Sequence, residues 1–125
     1  MDIPADADSV SLRLARTFLN RRVALRFDRP LGSRHPRCGF VYEVNYGYVP
    51  GTLAPDGAEL DAYYLGADEP LEHAEGRCVA IVHRFDDDDD KLVVLADGAT
   101  PPDDAAILAA VAFQETPGAH TIIRS

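Results

Sequence analysis

The sequence predicts a single, mainly β domain of the α+β class, in which a small closed sheet packs against one or two helices. Short apolar runs that are typical of strands recur along the chain, and turn-forming residues separate them. A helical spacing of apolar residues replaces this pattern near the C-terminus. The chain has 125 residues, with neither an internal repeat nor a long linker, so we predict one domain over residues 1–125.

The N-terminal part of the chain predicts a helix, a strand and a loop, in that order. Residues 9–20 carry apolar side chains at helical spacing, although Leu12 and Leu14 also fit a strand. Residues 23–28 alternate between apolar and polar, which indicates a strand. Prolines and a glycine within residues 30–39 then favour a loop.

Four further strands are predicted in the middle of the chain. Residues 40–48 are aromatic and β-branched, and residues 60–65 follow after a turn. Residues 78–83 and 91–95 are two apolar runs. The five aspartates between these runs form a segment short enough to be a hairpin loop.

The C-terminal part predicts a helix followed by a last strand. Thr100 is expected to cap the helix, with two prolines in its first turn and Asp103 near its positive end. Apolar residues then continue at helical spacing to about Gln114, and residues 121–123 predict the strand.

The charge of the chain excludes several classes of partner. The formal net charge is −9, which repels nucleic acid and anionic membranes, so neither is predicted as a partner. No apolar run approaches the roughly 18 residues of a membrane span. The start of the chain lacks the pattern of a secretory signal, and two cysteines are too few for a disulfide framework. We therefore expect a cytoplasmic protein.

Two acidic segments are candidates for binding a metal ion. Asp56 and Asp61 are separated by a tight turn and could converge on a hard cation, although most acidic turns are simply solvated. The run from Asp86 to Asp90 has the same two interpretations, a solvated hairpin tip or a loop that a divalent cation organises. Lys91 follows directly, and it either neutralises the run or points at a phosphate.

A basic segment and an aromatic segment are candidates for binding phosphate. Arg29, Arg34 and Arg37 have the planar fork that matches phosphate oxygens, although a solvated loop explains them equally well. Tyr42 and Tyr46 could donate to phosphate oxygens, although aromatic residues in strands more often belong to the core.

These motifs occur in an order that resembles the soluble inorganic pyrophosphatases of family I. The stretch YEVNYGYVPGTLAPDGAELDAYYLG is similar to that family's tyrosine-rich strand and its DGDPxD element, and DDDDDKLVVL resembles its second acidic run. Upstream, DRPLGSRHP resembles the family's opening strand and loop, so the likeness covers residues 28–95. It implies a five-stranded closed β-barrel with helices outside, and magnesium-dependent hydrolysis of inorganic diphosphate using several Mg²⁺ ions.

The resemblance also implies roles for particular residues. The expected metal ligands are carboxylates of the two acidic segments, namely Asp56, Asp61, Asp89 and either Asp86 or Asp87. The expected phosphate-binding residues are Arg29, Arg34, Arg37, Tyr42 and Lys91. The expected catalytic residues are Asp61, Glu59, Lys91 and Tyr46.

The chain departs from the family in a shortened hairpin before the NYGY strand and at two places that concern the site. Ala58 replaces the middle aspartate of DGDPxD, which the family is credited with using to take a proton from the attacking water, and Glu59 is the adjacent candidate. The Tyr-Lys pair of the family's C-terminal helix has no counterpart in AFQETPG. Two alternatives therefore stay open: a module that binds metal and phosphate with little or no turnover, or a hydrolase of another phosphoanhydride. A homo-oligomer is also expected, because small barrels expose strand edges.

Overall fold

We describe a computed structural model of the chain, covering residues 9–55, 57–85, 87 and 89–125. Within these ranges, two helices and six strands follow one another along the chain in this order: α1 Val10–Arg16, β1 Arg22–Arg29, β2 Asn45–Tyr48, β3 Asp61–Leu65, β4 His73–Arg84, β5 Lys91–Ala96, α2 Asp104–Val111 and β6 His120–Ile123.

The first five strands form a closed barrel. They lie in the order β1-β2-β3-β5-β4, and β1 also pairs with β4, which closes the sheet. The pairing of β3 with β5 is parallel, and the others are antiparallel. The long strand β4 makes closure possible, because residues 73–77 pair with β1 while residues 76–82 pair with β5. Its last residues, 81–84, also pair with β6. The prediction of a closed five-stranded barrel with packed helices is confirmed.

Alternation of side chains gives the sheet two apolar faces. In β5, Leu92 and Val94 join the cluster that includes α1, while Val93 and Leu95 join the cluster beneath α2. The continuous apolar run of this strand is explained by burial on both faces. In β1, by contrast, buried and exposed residues alternate, as expected for a strand with one face in solvent.

Gly47 permits β2 to lie against β1. A Cβ atom on Gly47 would lie 1.8 Å from the carbonyl oxygen of Arg26, so no larger residue fits without a shift of the backbone. The glycine of the NYGY sequence is therefore a requirement of barrel closure.

Several element boundaries differ from those predicted. Asp103, not Thr100, caps α2, because its side chain accepts a hydrogen bond from the Ala106 amide at 2.8 Å and both prolines precede the helix. Residues 40–48 form a strand only from Asn45, and Val41 makes an isolated bridge to Arg34. The helix predicted over residues 9–20 is present as α1, but it ends at Arg16, and Ser9 caps it. None of the described helices is long and apolar enough to cross a membrane.

Candidate active site

A cavity of about 620 Å³, which we call the main cavity, lies where the 30–39 loop meets the ends of several strands. Its lining combines carboxylates, cations and aromatic side chains: Asp28, Arg29, His35, Arg37, Cys38, Phe40, Tyr42, Tyr46, Ala58, Asp61, Arg84, Asp89, Lys91 and Gln114. A side cavity of about 140 Å³ shares Arg84 and Gln114 with it. The acidic, basic and aromatic segments of the sequence are therefore brought to one place.

Lys91 lies at the centre of the main cavity and holds two carboxylates together. Its Nζ atom lies 3.1 Å from Oδ2 of Asp61 and 3.3 Å from Oδ2 of Asp89. The parallel pairing of β3 with β5 explains the first contact, because Asp61 and Lys91 each begin a strand and lie side by side. The Lys91 side chain is only 2% exposed, whereas those of Asp61 and Asp89 are 27% and 30% exposed. The carboxylates can therefore contact both the ammonium and the cavity.

The electrostatics of this cluster keep Lys91 charged. Burial disfavours the ammonium, but the carboxylates of Asp61 and Asp89 outweigh burial and raise the pKa of Lys91. Burial also raises the pKa of the Asp61 carboxyl, and the charge of Lys91 opposes this shift without cancelling it. A second cation beside Asp61 would stabilise its ionised form.

Tyr46 and Tyr42 form the aromatic wall of the main cavity. The Tyr46 ring lies 5.3 Å from Nζ of Lys91, within range of a cation–π contact, and its hydroxyl is hydrogen-bonded to Asp61. Burial raises the pKa of the Tyr46 phenol well above its usual range, so this hydroxyl is a neutral donor. Tyr42 stacks on Tyr46 and donates from its hydroxyl to Oε1 of Gln114 at 3.1 Å.

The basic segment of residues 29–37 brings two of its three arginines to the main cavity. Arg29 and Arg37 line it, whereas Nη1 of Arg34 donates to the Gly39 carbonyl at 2.6 Å and Arg34 is not in the lining. Asn45 fixes the start of this loop, because its buried Oδ1 accepts from the Leu31 amide at 2.9 Å.

Other predicted site residues lie apart from the cluster. Oε2 of Glu59 accepts from the Gly51 amide at 3.0 Å, and the structure does not bring this side chain into the lining. Asp87 lines the side cavity and lies 3.3 Å from Arg84. Asp56 and Asp86, both predicted metal ligands, fall outside the described residues.

One aspartate of the acidic run is structural. Asp90 is buried, and its Oδ1 lies 2.8 Å from Nδ1 of His83 and accepts from the Arg84 amide at 3.0 Å. The Asp90 amide donates to Oγ of Ser11 in α1 at 2.8 Å. These bonds tie the first helix to the strand that carries Lys91.

Sequence reasoning missed a polar network behind the main cavity. The buried Glu115 accepts from Nε and Nη2 of Arg84, each at 2.9 Å, and from the Tyr63 hydroxyl at 2.5 Å. Burial disfavours the charged form of Glu115, but the hydrogen bonds from Arg84 and Tyr63 outweigh it and lower its pKa. Gln114 donates to the same Tyr63 hydroxyl at 2.7 Å. The sequence did offer one signal for this network, because Arg84 is a charged residue that directly follows the predicted apolar strand of residues 78–83.

The donor chemistry of the main cavity fits magnesium. Mg²⁺ is bound by oxygen ligands, usually one or two carboxylates together with water and phosphate. Asp61 and Asp89 offer two carboxylates that converge on one point and retain lone pairs beyond those facing Lys91. Within the described ranges, no group of three or more histidine, cysteine, aspartate or glutamate residues forms a metal site.

Solved structures with a similar fold are pyrophosphatases of bacteria. The inorganic pyrophosphatase of Neisseria gonorrhoeae aligns with a TM-score of 0.60 at 21% identity, over 83% of this chain and 80% of that one. That of Helicobacter pylori gives 0.58 at 18% identity, over 83% and 82%. That of Ehrlichia chaffeensis gives 0.53 at 18% identity, over 62% of each chain, so this chain spans less than two thirds of that protein. These likenesses place the chain in the class of proteins with the pyrophosphatase fold.

The sequence itself gives the narrower assignment. The family model of inorganic pyrophosphatase matches residues 11–111, which is most of the chain. The chain belongs to the inorganic pyrophosphatase family, as the order of its motifs predicted. No curated protein matches it significantly in sequence.

Proposed function

We propose that this protein hydrolyses inorganic diphosphate to two phosphates with magnesium as cofactor. The observation that supports this most directly is the convergence of Asp61 and Asp89 on the buried ammonium of Lys91, in a cavity that arginines also line. A cavity with carboxylates beside fixed cations suits a substrate that carries both metal and phosphate charge. Membership of the family supports the same reaction.

Six side chains of the main cavity have proposed roles. Asp61 and Asp89 would hold magnesium, which when bound neutralises phosphate oxygens and lowers the pKa of a coordinated water. Lys91 presents a fixed positive charge that stabilises charge on the phosphoryl oxygens. Tyr46 is a neutral donor beside it. Arg29, at the end of β1, and Arg37, in the 30–39 loop, also line the cavity.

Proton transfer is the step in which this chain differs from its family. Ala58 brings a methyl group to the main cavity, and the Glu59 carboxylate is held by the Gly51 amide. We assign proton acceptance to Asp61, because its carboxylate lines the main cavity, is partly exposed and, as a proposed magnesium ligand, would lie beside a coordinated water. The absence of a dedicated base at position 58 predicts slow turnover.

The test is release of phosphate from diphosphate in the presence of Mg²⁺. Asp61→Asn should lower kcat by about 10²–10⁴-fold, the usual contribution of a general base. Asp97→Asn is the matched control, because Asp97 follows the other end of β5 and is exposed in a pair with Arg22. Diphosphate that stays intact at high protein concentration, with Mg²⁺, Mn²⁺ and Zn²⁺ each supplied, would refute the proposal.

A second candidate is a module that binds metal and diphosphate without turnover. The methyl group of Ala58 and the engagement of Glu59 with Gly51 favour it. It predicts calorimetric binding of magnesium diphosphate without phosphate release, and Ala58→Asp should then create activity. If the Ala58→Asp variant released no phosphate, this result would count against this candidate. Nucleoside di- and triphosphates in the same assay test the third possibility, a hydrolase of another phosphoanhydride.

The setting of the reaction is also a proposal. The two cysteines are free thiols, Cys38 exposed and Cys78 buried, which suits a reducing cytoplasm. A homo-oligomer remains our expectation, because β6 is the last strand of the sheet and an edge strand can pair with another chain. Sedimentation at several protein concentrations measures the oligomeric state.

A further inference from the structure

Arg84 is a cation of the main cavity to which the proposed reaction gives no role. It ends β4, its side chain is 20% exposed, and it lines both the main and the side cavity. We propose that Arg84 is a phosphate-binding residue, which holds one phosphoryl group of a diphosphate beside Gln114. This inference rests on the proposed binding of diphosphate in the main cavity.

The guanidinium of Arg84 is held in place from behind. Its Nε and Nη2 donate to the two oxygens of Glu115, each at 2.9 Å, which fixes the plane of the group. Glu115 is itself fixed by the Tyr63 hydroxyl. An arginine whose orientation is set before ligand binding loses less side-chain entropy when it binds phosphate.

The remaining side of the guanidinium is available to a ligand. Nη1 of Arg84 lies 3.3 Å from Oδ2 of Asp87 and 3.4 Å from Oδ2 of Asp89. Both distances are longer than the 2.9 Å bonds that Nε and Nη2 make to Glu115. These two carboxylates are 47% and 30% exposed, so the contacts are screened by solvent and are weak. A phosphoryl oxygen can replace them at little cost.

The positions of the cations favour one substrate with two phosphoryl groups. Oδ2 of Asp89 lies 3.3 Å from Nζ of Lys91 and 3.4 Å from Nη1 of Arg84, so the two cations flank one carboxylate. Residues 112–118 provide no lysine or arginine, although Gln114 lies in the cavity wall. Arg84, at the end of β4, brings positive charge to this wall of the cavity.

A purely structural role for Arg84 makes a different prediction. If Arg84 only neutralised the buried Glu115, removing both charges together would restore the protein fully. The double variant Arg84→Met/Glu115→Gln keeps similar side-chain volumes and leaves no buried charge unpaired. It therefore separates phosphate binding from folding.

The experiment is calorimetric binding of methylenediphosphonate, which is not hydrolysed, in the presence of Mg²⁺. Arg84→Met and the double variant should both bind about 10- to 100-fold more weakly than wild type, the effect of losing a hydrogen bond to a charged group. The double variant should melt closer to wild type than Arg84→Met does. Arg77→Met, which removes an exposed arginine from the same strand, is the control and should bind like wild type.

Two results would overturn the inference, and a third would end the proposed function as well. Wild-type affinity in the double variant would show that Arg84 serves only Glu115. Wild-type affinity in Arg84→Met would show that it is not a phosphate ligand. Absence of binding by the wild-type protein would remove the diphosphate site itself.

Discussion

Replacing Glu115 with glutamine tests how much the network behind the main cavity stabilises the fold. The carboxylate is buried and accepts three hydrogen bonds, two of them from Arg84. Glutamine keeps the volume but places an amide N–H₂ against the N–H groups of the guanidinium. Arg84 would retain only its longer contacts to Asp87 and Asp89.

The expected loss is smaller than that of a fully buried ion pair. Breaking such a pair costs 3–5 kcal/mol, and partial exposure of Arg84 reduces this to about 2–3 kcal/mol at pH 7. For a chain of 125 residues, each kcal/mol shifts the melting temperature by about 4 °C, so Glu115→Gln should melt about 8–12 °C lower.

The difference in melting temperature between the wild-type protein and Glu115→Gln should disappear in acid. The pKa of Glu115 is lowered in the folded protein, so its carboxylate stabilises the fold above its unfolded pKa of about 4.3. That stabilisation is lost as the pH falls through the folded pKa. Thermal melts of both proteins from pH 7 to pH 3 are the assay, and Glu75→Gln at the exposed pair with Arg22 is the control. Equal melting temperatures at pH 7, or a gap that persists undiminished in acid, would refute the reasoning.

Three further predictions concern the barrel and the main cavity. Lys91→Met should destabilise the fold by about 2–4 kcal/mol, because Asp61 and Asp89 lose the cation that they share. Added Mg²⁺ should restore part of this loss in thermal melts, and no effect of Mg²⁺ would contradict the metal assignment. Tyr46→Phe should lower kcat by about 10-fold with little change in melting temperature, since only the hydroxyl bonded to Asp61 is removed; unchanged steady-state kinetics would exclude a role for that hydroxyl. Gly47→Ala should cost on the order of 3 kcal/mol in a denaturant titration, because the added Cβ meets a backbone carbonyl; wild-type stability would show that β1 and β2 are free to separate.

Much of the barrel could be predicted because its strands have strong local patterns. The alternating β1 and the β5 strand, which is apolar after Lys91, each fall within a residue or two of the predicted bounds. The first half of β4 could not be predicted, because residues 73–77 are mostly polar and exposed and are held in the sheet by pairing with β1. The cap of α2 was misplaced since Thr100 and Asp103 are both good capping residues, and only the turn after the prolines decides between them.

In the main cavity, too, some residues could be predicted from the sequence around them, while others could not because their partners are distant in the chain. Asp61, Asp89 and Lys91 stand in motifs whose residue types indicate their chemistry, and the structure brings them together. Arg84 and Glu115 are 31 positions apart in the chain. Nothing near either residue indicates the other, so their pairing requires the three-dimensional structure.

The buried Asp90 has a consequence for a run of five identical residues. Five aspartates in series have identical side chains, so only their positions in the fold distinguish one from the next. The hydrogen bonds of Asp90 with Ser11 and His83 hold this one aspartate inside the fold. Because Asp90 is tied to the N-terminal helix, its neighbour Asp89 is the aspartate that lines the main cavity beside Lys91.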